Sequence, residues 1–107
     1  MKRFISNYTI FANGDEVINH ITTVEDDGTL RSVDPFDREL GNTVYVPQPL
    51  CVVATSDVPL VQKAFIECAS REQLKRLLSK LKLSQPQAGV TVTVLRLDFS
   101  TNTLKEL

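Results

Sequence analysis

The chain has 107 residues, with 12 Lys and Arg against 13 Asp and Glu, so its formal net charge is −1. This length fits a single domain over residues 1–107, and the near-neutral charge disfavours a polycation or a lipid-binding polybasic segment. No apolar run approaches the roughly 20 residues of a membrane span, and the first residues lack the apolar core of a signal peptide. Cys51 and Cys68 both lie in apolar surroundings, which indicates buried, reduced thiols. We therefore expect a cytoplasmic protein with no membrane association.

The first predicted elements are two strands, residues 4–12 and 16–25, joined at Asn13-Gly14. This dipeptide is typical of a tight hairpin turn because both residues tolerate a positive φ. A two-residue loop, or one of four residues, would keep the same side chains together on each face. The two-residue loop predicts these pairs: Ile10 opposite Val17, and Asn7 opposite His20.

Shorter predicted strands follow, with turn or loop residues between them. Asp26-Asp27-Gly28 predicts a turn, and Asp34-Pro35 predicts the end of the third strand. Residues 34–42 are expected to form a charged loop with one helical turn. Pro47-Gln48-Pro49 predicts a kink, and residues 84–89 a loop. The remaining predicted strands are residues 29–33, 43–46, 50–54, 90–99 and 103–107.

The middle of the chain predicts one amphipathic helix, at about residues 71–82. Apolar residues before and after Ser70 would lie about 140° apart on a continuous helix, so they cannot share one buried stripe. Ser70 and Gln73 have the spacing of a capping box, which marks a helix start. Residues 61–69 alternate in polarity, and this favours a strand over a helix. The resulting fold class is α+β, a mainly antiparallel, β-sandwich-like sheet with one helix.

Catalytic, cofactor and metal sites are not predicted. His20 is the sole histidine, which excludes sites that need two imidazoles from one chain. Since His20 lies in a predicted strand, we interpret it as a hydrogen-bonded residue of the sheet. Asp26-Asp27-Gly28 lacks the remaining spacing of a calcium loop. Asp34, Asp37 and Glu39 are expected to be solvated acids of a loop. No glycine-rich phosphate-binding motif is present.

The predicted helix has a basic face, since only Glu72 opposes its cations. Such a face can hold phosphate groups, but a solvated helix surface with an i,i+4 ion pair explains it without any ligand. Nucleic-acid binding is disfavoured because no aromatic side chains accompany these charges. The basic residues are Arg71, Lys75, Arg76, Lys80 and Lys82.

Residues 3–54 and 90–107 resemble the small β domain of the amidohydrolase superfamily of metal-dependent hydrolases. The matching segments are Phe4–Ile10, Gly14–Ile18, Val24–Val33, Thr43–Pro47 and Val94–Leu104. The resemblance implies an accessory β domain without its enzyme, in which residues 55–89 replace the catalytic barrel. Where that family has metal-binding histidines, this chain has Pro49-Leu50-Cys51-Val52-Val53-Ala54-Thr55, so no catalytic residue transfers.

Three functions fit these observations. The first is a non-enzymatic domain that acts through protein association, as a homo-oligomer or with a partner protein, because sheet edges invite pairing. The second is a small-ligand binder or minor enzyme with a pocket between helix 71–82 and the sheet. The third is nucleic-acid binding through the basic helix face, with a steep salt dependence. The pocket would require four polar side chains to converge: His20, Asn7, Tyr8 and Glu67.

Overall fold

The computed structural model describes residues 1–37 and 41–107, which form seven strands and two α-helices. A 3₁₀ turn at Thr55–Asp57 precedes the first helix. In chain order the elements are β1 (Lys2–Phe11), β2 (Glu16–Val24), β3 (Leu30–Pro35), β4 (Thr43–Tyr45), β5 (Leu50–Ala54), α1 (Val58–Ile66), α2 (Arg71–Leu81), β6 (Val92–Asp98) and β7 (Thr103–Glu106).

The strands form one sheet in the order β3-β2-β1-β5-β6-β7, with β4 also beside β1. Both β4 and β5 run parallel to β1, β4 along residues 3–5 and β5 along residues 9–11. The other strand pairs are antiparallel. The predicted α+β class with a mostly antiparallel sheet is therefore confirmed.

The sheet coils until the β2–β3 turn meets the start of β6. The Leu30 amide donates to the Val90 carbonyl at 2.8 Å, and the Val92 amide donates to the Gly28 carbonyl at 3.0 Å. An apolar cluster inside the coil draws on β1, β2, β3, β5 and β6. The described strands thus belong to one coiled sheet, and the predicted β-sandwich-like arrangement, which would pack two sheets face to face, is not confirmed.

The helices cover the other face of the sheet. A second apolar core lies between this face and the helices. Strand β5 contributes to both cores, because Leu50 and Val52 face the coil while Cys51 and Val53 face the helices. The aromatic ring of Phe65 on α1 lies 5.1 Å from that of Phe99. The prediction of a single helix is wrong, since α1 and α2 both pack here.

Helix α1 replaces the strand that polarity alternation favoured over residues 61–69. Val61, Ala64 and Phe65 recur at helical spacing and are buried together against the sheet. Pro59 lies in the first turn of α1, where its missing amide costs no intrahelical hydrogen bond. Burial of this apolar stripe outweighs the local alternation.

The predicted start of the second helix is confirmed. The Ser70 hydroxyl accepts from the Gln73 amide at 3.3 Å, and the Gln73 side chain accepts from the Ala69 amide at 2.7 Å. The helix ends at Leu81, and Lys82 follows with a left-handed φ of 54°. The Ser70 cap therefore separates α2 from α1, and Lys82 ends α2.

The predicted register of the first hairpin is wrong by one residue. Phe11 pairs with Asp15 through an amide–carbonyl bond of 2.8 Å, which leaves a three-residue loop. Gly14, with φ +92°, takes the left-handed last position of that loop. An odd shift exchanges the faces of one strand relative to the other, so Ile10 pairs with Glu16 and Ser6 pairs with His20.

Strand β3 continues through Asp34 and Pro35, where the sequence predicted a break. Pro35 pairs with His20 at the edge of the sheet, a position that tolerates a missing donor. The helical turn predicted within residues 34–42 falls partly on residues 38–40, which lie outside the described residues.

Candidate functional site

The four polar side chains of the predicted pocket do not surround one hollow. Asn7 and His20 line two different hollows of the sheet, and Glu67 lines a groove between α1 and α2. Tyr8 lies instead under the guanidinium group of Arg71, 3.6 Å from its ring centre. The His20 Nδ1 lies 2.9 Å from the Ile18 carbonyl oxygen, which supports its predicted role as a hydrogen-bonded strand residue.

The acidic residues that the sequence singled out have structural partners or lie apart. Asp27 closes its turn by accepting from the Thr29 amide at 3.0 Å and from the Thr29 hydroxyl at 2.7 Å, and these bonds lower its pKa. Asp34 lies within β3, and Glu39 is outside the described residues. In the described part of the chain, no three His, Cys, Asp or Glu side chains are grouped to hold a metal ion.

Both cysteines are free thiols buried on the helix side of the sheet. Complete burial raises the pKa of Cys51 to about 12. Burial and the neighbouring Glu67 carboxylate also raise the pKa of Cys68, whose thiol donates to the Ala64 carbonyl at 3.2 Å. These surroundings disfavour the thiolate form that a nucleophile needs.

Two cations of the α2 basic face hold the helix to the first hairpin. Glu16 lies 2.5 Å from the Arg71 Nε and 3.2 Å from the Lys75 Nζ, and only 12% of its side chain is exposed. Glu72 also contacts Lys75 at 3.1 Å, and the hydrogen bond to Glu72 is the main cause of the raised pKa of Lys75. These contacts support the structural interpretation of the basic face.

The short strand β4 leaves exposed apolar side chains at a sheet edge. Val44 is 54% exposed and Tyr45 is 58% exposed. The Val46 amide donates to the Ile5 carbonyl at 2.8 Å, on the side of β1. Since successive residues of a strand direct their main-chain groups to opposite sides, the amide and carbonyl of Tyr45 point away from β1. No strand pairs with this outer side of Tyr45 within residues 1–37 and 41–107.

One face of β4 opens into a hollow of about 500 Å³, here called the aromatic hollow. Phe36, which is 44% exposed, is held there by a 2.8 Å bond from its amide to the Asn19 carbonyl. Asn19 has a left-handed φ of 55° inside β2, a conformation that asparagine tolerates better than most residues. The lining residues are Ile5, Asn7, Asn19, Phe36, Thr43 and Tyr45.

The opposite face of β4 opens into a second hollow of about 550 Å³, here called the basic hollow. Val44 lines it, beside Phe4 of β1. Arg3 is anchored next to β4 because its Nη1 donates to the Gly41 carbonyl at 3.0 Å. The residues with charged side chains that line the basic hollow are Lys2, Arg3, Lys105 and Glu106.

A separate apolar groove of about 220 Å³ runs between α1 and α2. Leu60, which is 45% exposed, and Leu81 line it with Lys63 and Glu67. This groove lies on one surface only, whereas β4 has a hollow on each of its faces. Among the residues that the structure describes, no helix is long and apolar enough to cross a bilayer.

Sequence reasoning located strand 43–46 and the kink after it but did not identify the β4 edge as a site. Phe36 and Asn19 come to β4 through the β2–β3 pairing, so their proximity has no signature along the chain. The one local signal is the kink at Pro47-Gln48-Pro49, which prevents β4 from continuing directly into β5.

Comparison with known proteins gave no match to a family model, to a curated protein or to a solved structure.

Proposed function

We propose that this chain is a non-enzymatic protein-association domain, which binds an extended segment of a partner protein along β4. The proposal rests on one observation, the outward-facing edge of β4 with a hollow on each face. Strand addition to a sheet edge gains affinity from main-chain hydrogen bonds and selectivity from side-chain pockets. The proposal develops the first of the three functions that the sequence suggested.

The two-sided arrangement favours an extended ligand over a helical one. Tyr45 borders the aromatic hollow, whereas the adjacent Val44 borders the basic hollow. An added strand directs successive side chains to alternate faces, so neighbouring residues of the ligand would fill both hollows. An amphipathic helix presents one apolar stripe and could fill only one of them.

The main chain of Tyr45 supplies the anchoring bonds in this proposal. Its outward amide and carbonyl provide one donor and one acceptor for the added strand. Phe36 and the Tyr45 ring then supply apolar area for a ligand side chain in the aromatic hollow, which has the volume of a small-molecule pocket. Because the contact area is small, we expect micromolar affinity, which is typical of a transient interaction.

A phage library of random ten-residue peptides, selected on the purified chain, provides the probe. We expect enriched peptides to bind with micromolar affinity and to shift the amide NMR signal of Tyr45. Phe36→Ala removes an exposed aromatic side chain and should weaken binding about tenfold, the effect of losing about 1.4 kcal/mol. Leu60→Ala is the matched control, because Leu60 is equally exposed but lies in the helix groove.

Methylation of alternate main-chain amides in an enriched peptide tests the binding mode. A strand added to β4 directs only every second amide at the edge, so one methylation pattern should abolish binding and the other should preserve it. Equal effects of the two patterns would contradict strand addition. Enriched peptides that are sensitive to Leu60→Ala and insensitive to Phe36→Ala would place the site in the helix groove.

Sedimentation of the chain alone tests whether a second copy occupies the edge instead. We expect a monomer at micromolar concentration, because the edge offered by β4 is only three residues long. A dimer that dissociates in the Phe36→Ala variant would identify a second copy as the occupant and overturn the partner-segment proposal.

A further inference from the structure

We infer that the segment bound at β4 carries an aromatic residue with a polar tip directly next to an acidic residue. This inference rests on the proposed function and specifies the chemistry of the partner. It follows from the different linings of the two hollows and from their positions on opposite faces of one strand.

The aromatic hollow suits a tyrosine or tryptophan side chain. Phe36, Tyr45 and Ile5 offer apolar surface against which a ring can stack. Asn7 and Asn19 also line this hollow, and each side-chain amide has both donors and an acceptor. A ring with a hydroxyl or an indole N–H can therefore bury its apolar body and still form a hydrogen bond at its tip.

The basic hollow suits a carboxylate by charge complementarity. Three basic residues, Lys2, Arg3 and Lys105, line it together with one acidic side chain, Glu106, and the last residue, Leu107. The Lys2 side chain lies on the same face as Phe4 and Val44, because residues two apart on a strand share a face, whereas Arg3 lies on the face of Tyr45 and donates to the Gly41 carbonyl at 3.0 Å. Attraction between exposed charges is modest and is screened by salt, so the acid contributes mainly to selectivity.

The spacing follows from strand geometry. Adjacent residues of an added strand face opposite sides of the sheet, whereas residues two apart face the same side. Val44 and Tyr45 are adjacent and border different hollows. The aromatic and acidic residues must therefore be neighbours in the ligand and cannot be separated by one residue.

A fluorescein-labelled peptide of eight residues, rich in threonine and valine with a central tyrosine–glutamate pair, tests the inference. We expect glutamate→glutamine to weaken binding about threefold and glutamate→lysine about tenfold. Moving the glutamate one further residue from the tyrosine should also cost about tenfold. Raising the salt from about 50 mM to 300 mM should weaken the glutamate peptide more than the glutamine peptide.

Charge reversal on the protein locates the acid-binding site. Lys105→Glu should weaken the glutamate peptide about tenfold and improve the lysine peptide. Lys63→Glu, the same change in the helix groove, should leave both peptides unaffected. Both side chains are exposed, so neither substitution disturbs the core.

The outcomes separate the inference from the proposed function. If alternate amide methylation still distinguishes the library peptides, but glutamate and lysine peptides bind equally, strand addition stands and the acidic preference is wrong. If the designed peptides do not bind while library peptides do, the inferred motif is wrong. If the two methylation patterns act equally, the proposed function falls together with the inference.

Discussion

Gly14→Ala is expected to destabilise the fold more than the same change at the other left-handed glycines. Gly14 ends the loop between β1 and β2 with φ +92°, and the loop lies against α2. A Cβ at this position would lie 2.6 Å from the Lys75 carbonyl oxygen and 3.1 Å from the Ser79 Cβ. The first contact is with helix backbone, which cannot move aside as a flexible side chain can.

The expected magnitude has two parts. A left-handed φ costs a side chain about 1–2 kcal/mol, which the lower entropy of the unfolded alanine chain offsets by about 0.4–1 kcal/mol. Gly28 at φ +87° and Gly89 at φ +89° have this cost without any close contact, so each alanine variant should lose about 1 kcal/mol. Overpacking against α2 adds about 1–3 kcal/mol at Gly14, for a total of about 2–4 kcal/mol.

Urea unfolding followed by circular dichroism measures these differences. Gly14→Ala should lower the midpoint without changing the slope, and in thermal scans it should lower Tm by about 10–20 °C against about 5 °C for Gly89→Ala. Equal losses for Gly14→Ala and Gly89→Ala would refute the close packing of the hairpin loop on α2.

Three further predictions concern the helix end, the thiols and acid stability. Lys82→Gly should raise the free energy of unfolding by about 0.5–1 kcal/mol, because glycine accepts the left-handed φ of 54° without strain; a loss in urea unfolding would contradict this cap. Native Cys51 and Cys68 should react with a thiol reagent far more slowly than in urea, and rapid labelling of native protein would refute their burial. Hydrogen bonds from Ser100 and Thr101 lower the pKa of Asp98, so the stabilisation that they give is present above the unfolded-state pKa and is lost as pH falls through the folded-state pKa. Asp98→Asn should therefore flatten the acid side of the curve of unfolding free energy against pH. An unchanged curve would contradict the role of these hydrogen bonds.

Local chemistry in the sequence determined most of the elements and their ends. Ser70 and Gln73 form a capping pair within four residues, and the short apolar segment 50–54, which contains Val52 and Val53, favours a strand. Two elements were ambiguous for the same kind of reason. Residues 61–69 carry both an alternating and a helical polarity pattern, and the three-residue hairpin loop uses the same Asn13-Gly14 that a two-residue turn would use.

Tertiary structure alone decided the register of the first hairpin, the coiling of the sheet and the candidate site. The contact of Gly14 with Lys75 joins residues 61 positions apart, and the bond between Phe36 and Asn19 forms only when β3 extends to Pro35. Local patterns carry no information on such distant pairs, because their energies depend on which surfaces the packed elements bring together. The sequence by itself therefore determined most strands and helix α2 with its N-cap, whereas packing decided helix α1 and placed two hollows on the two faces of β4.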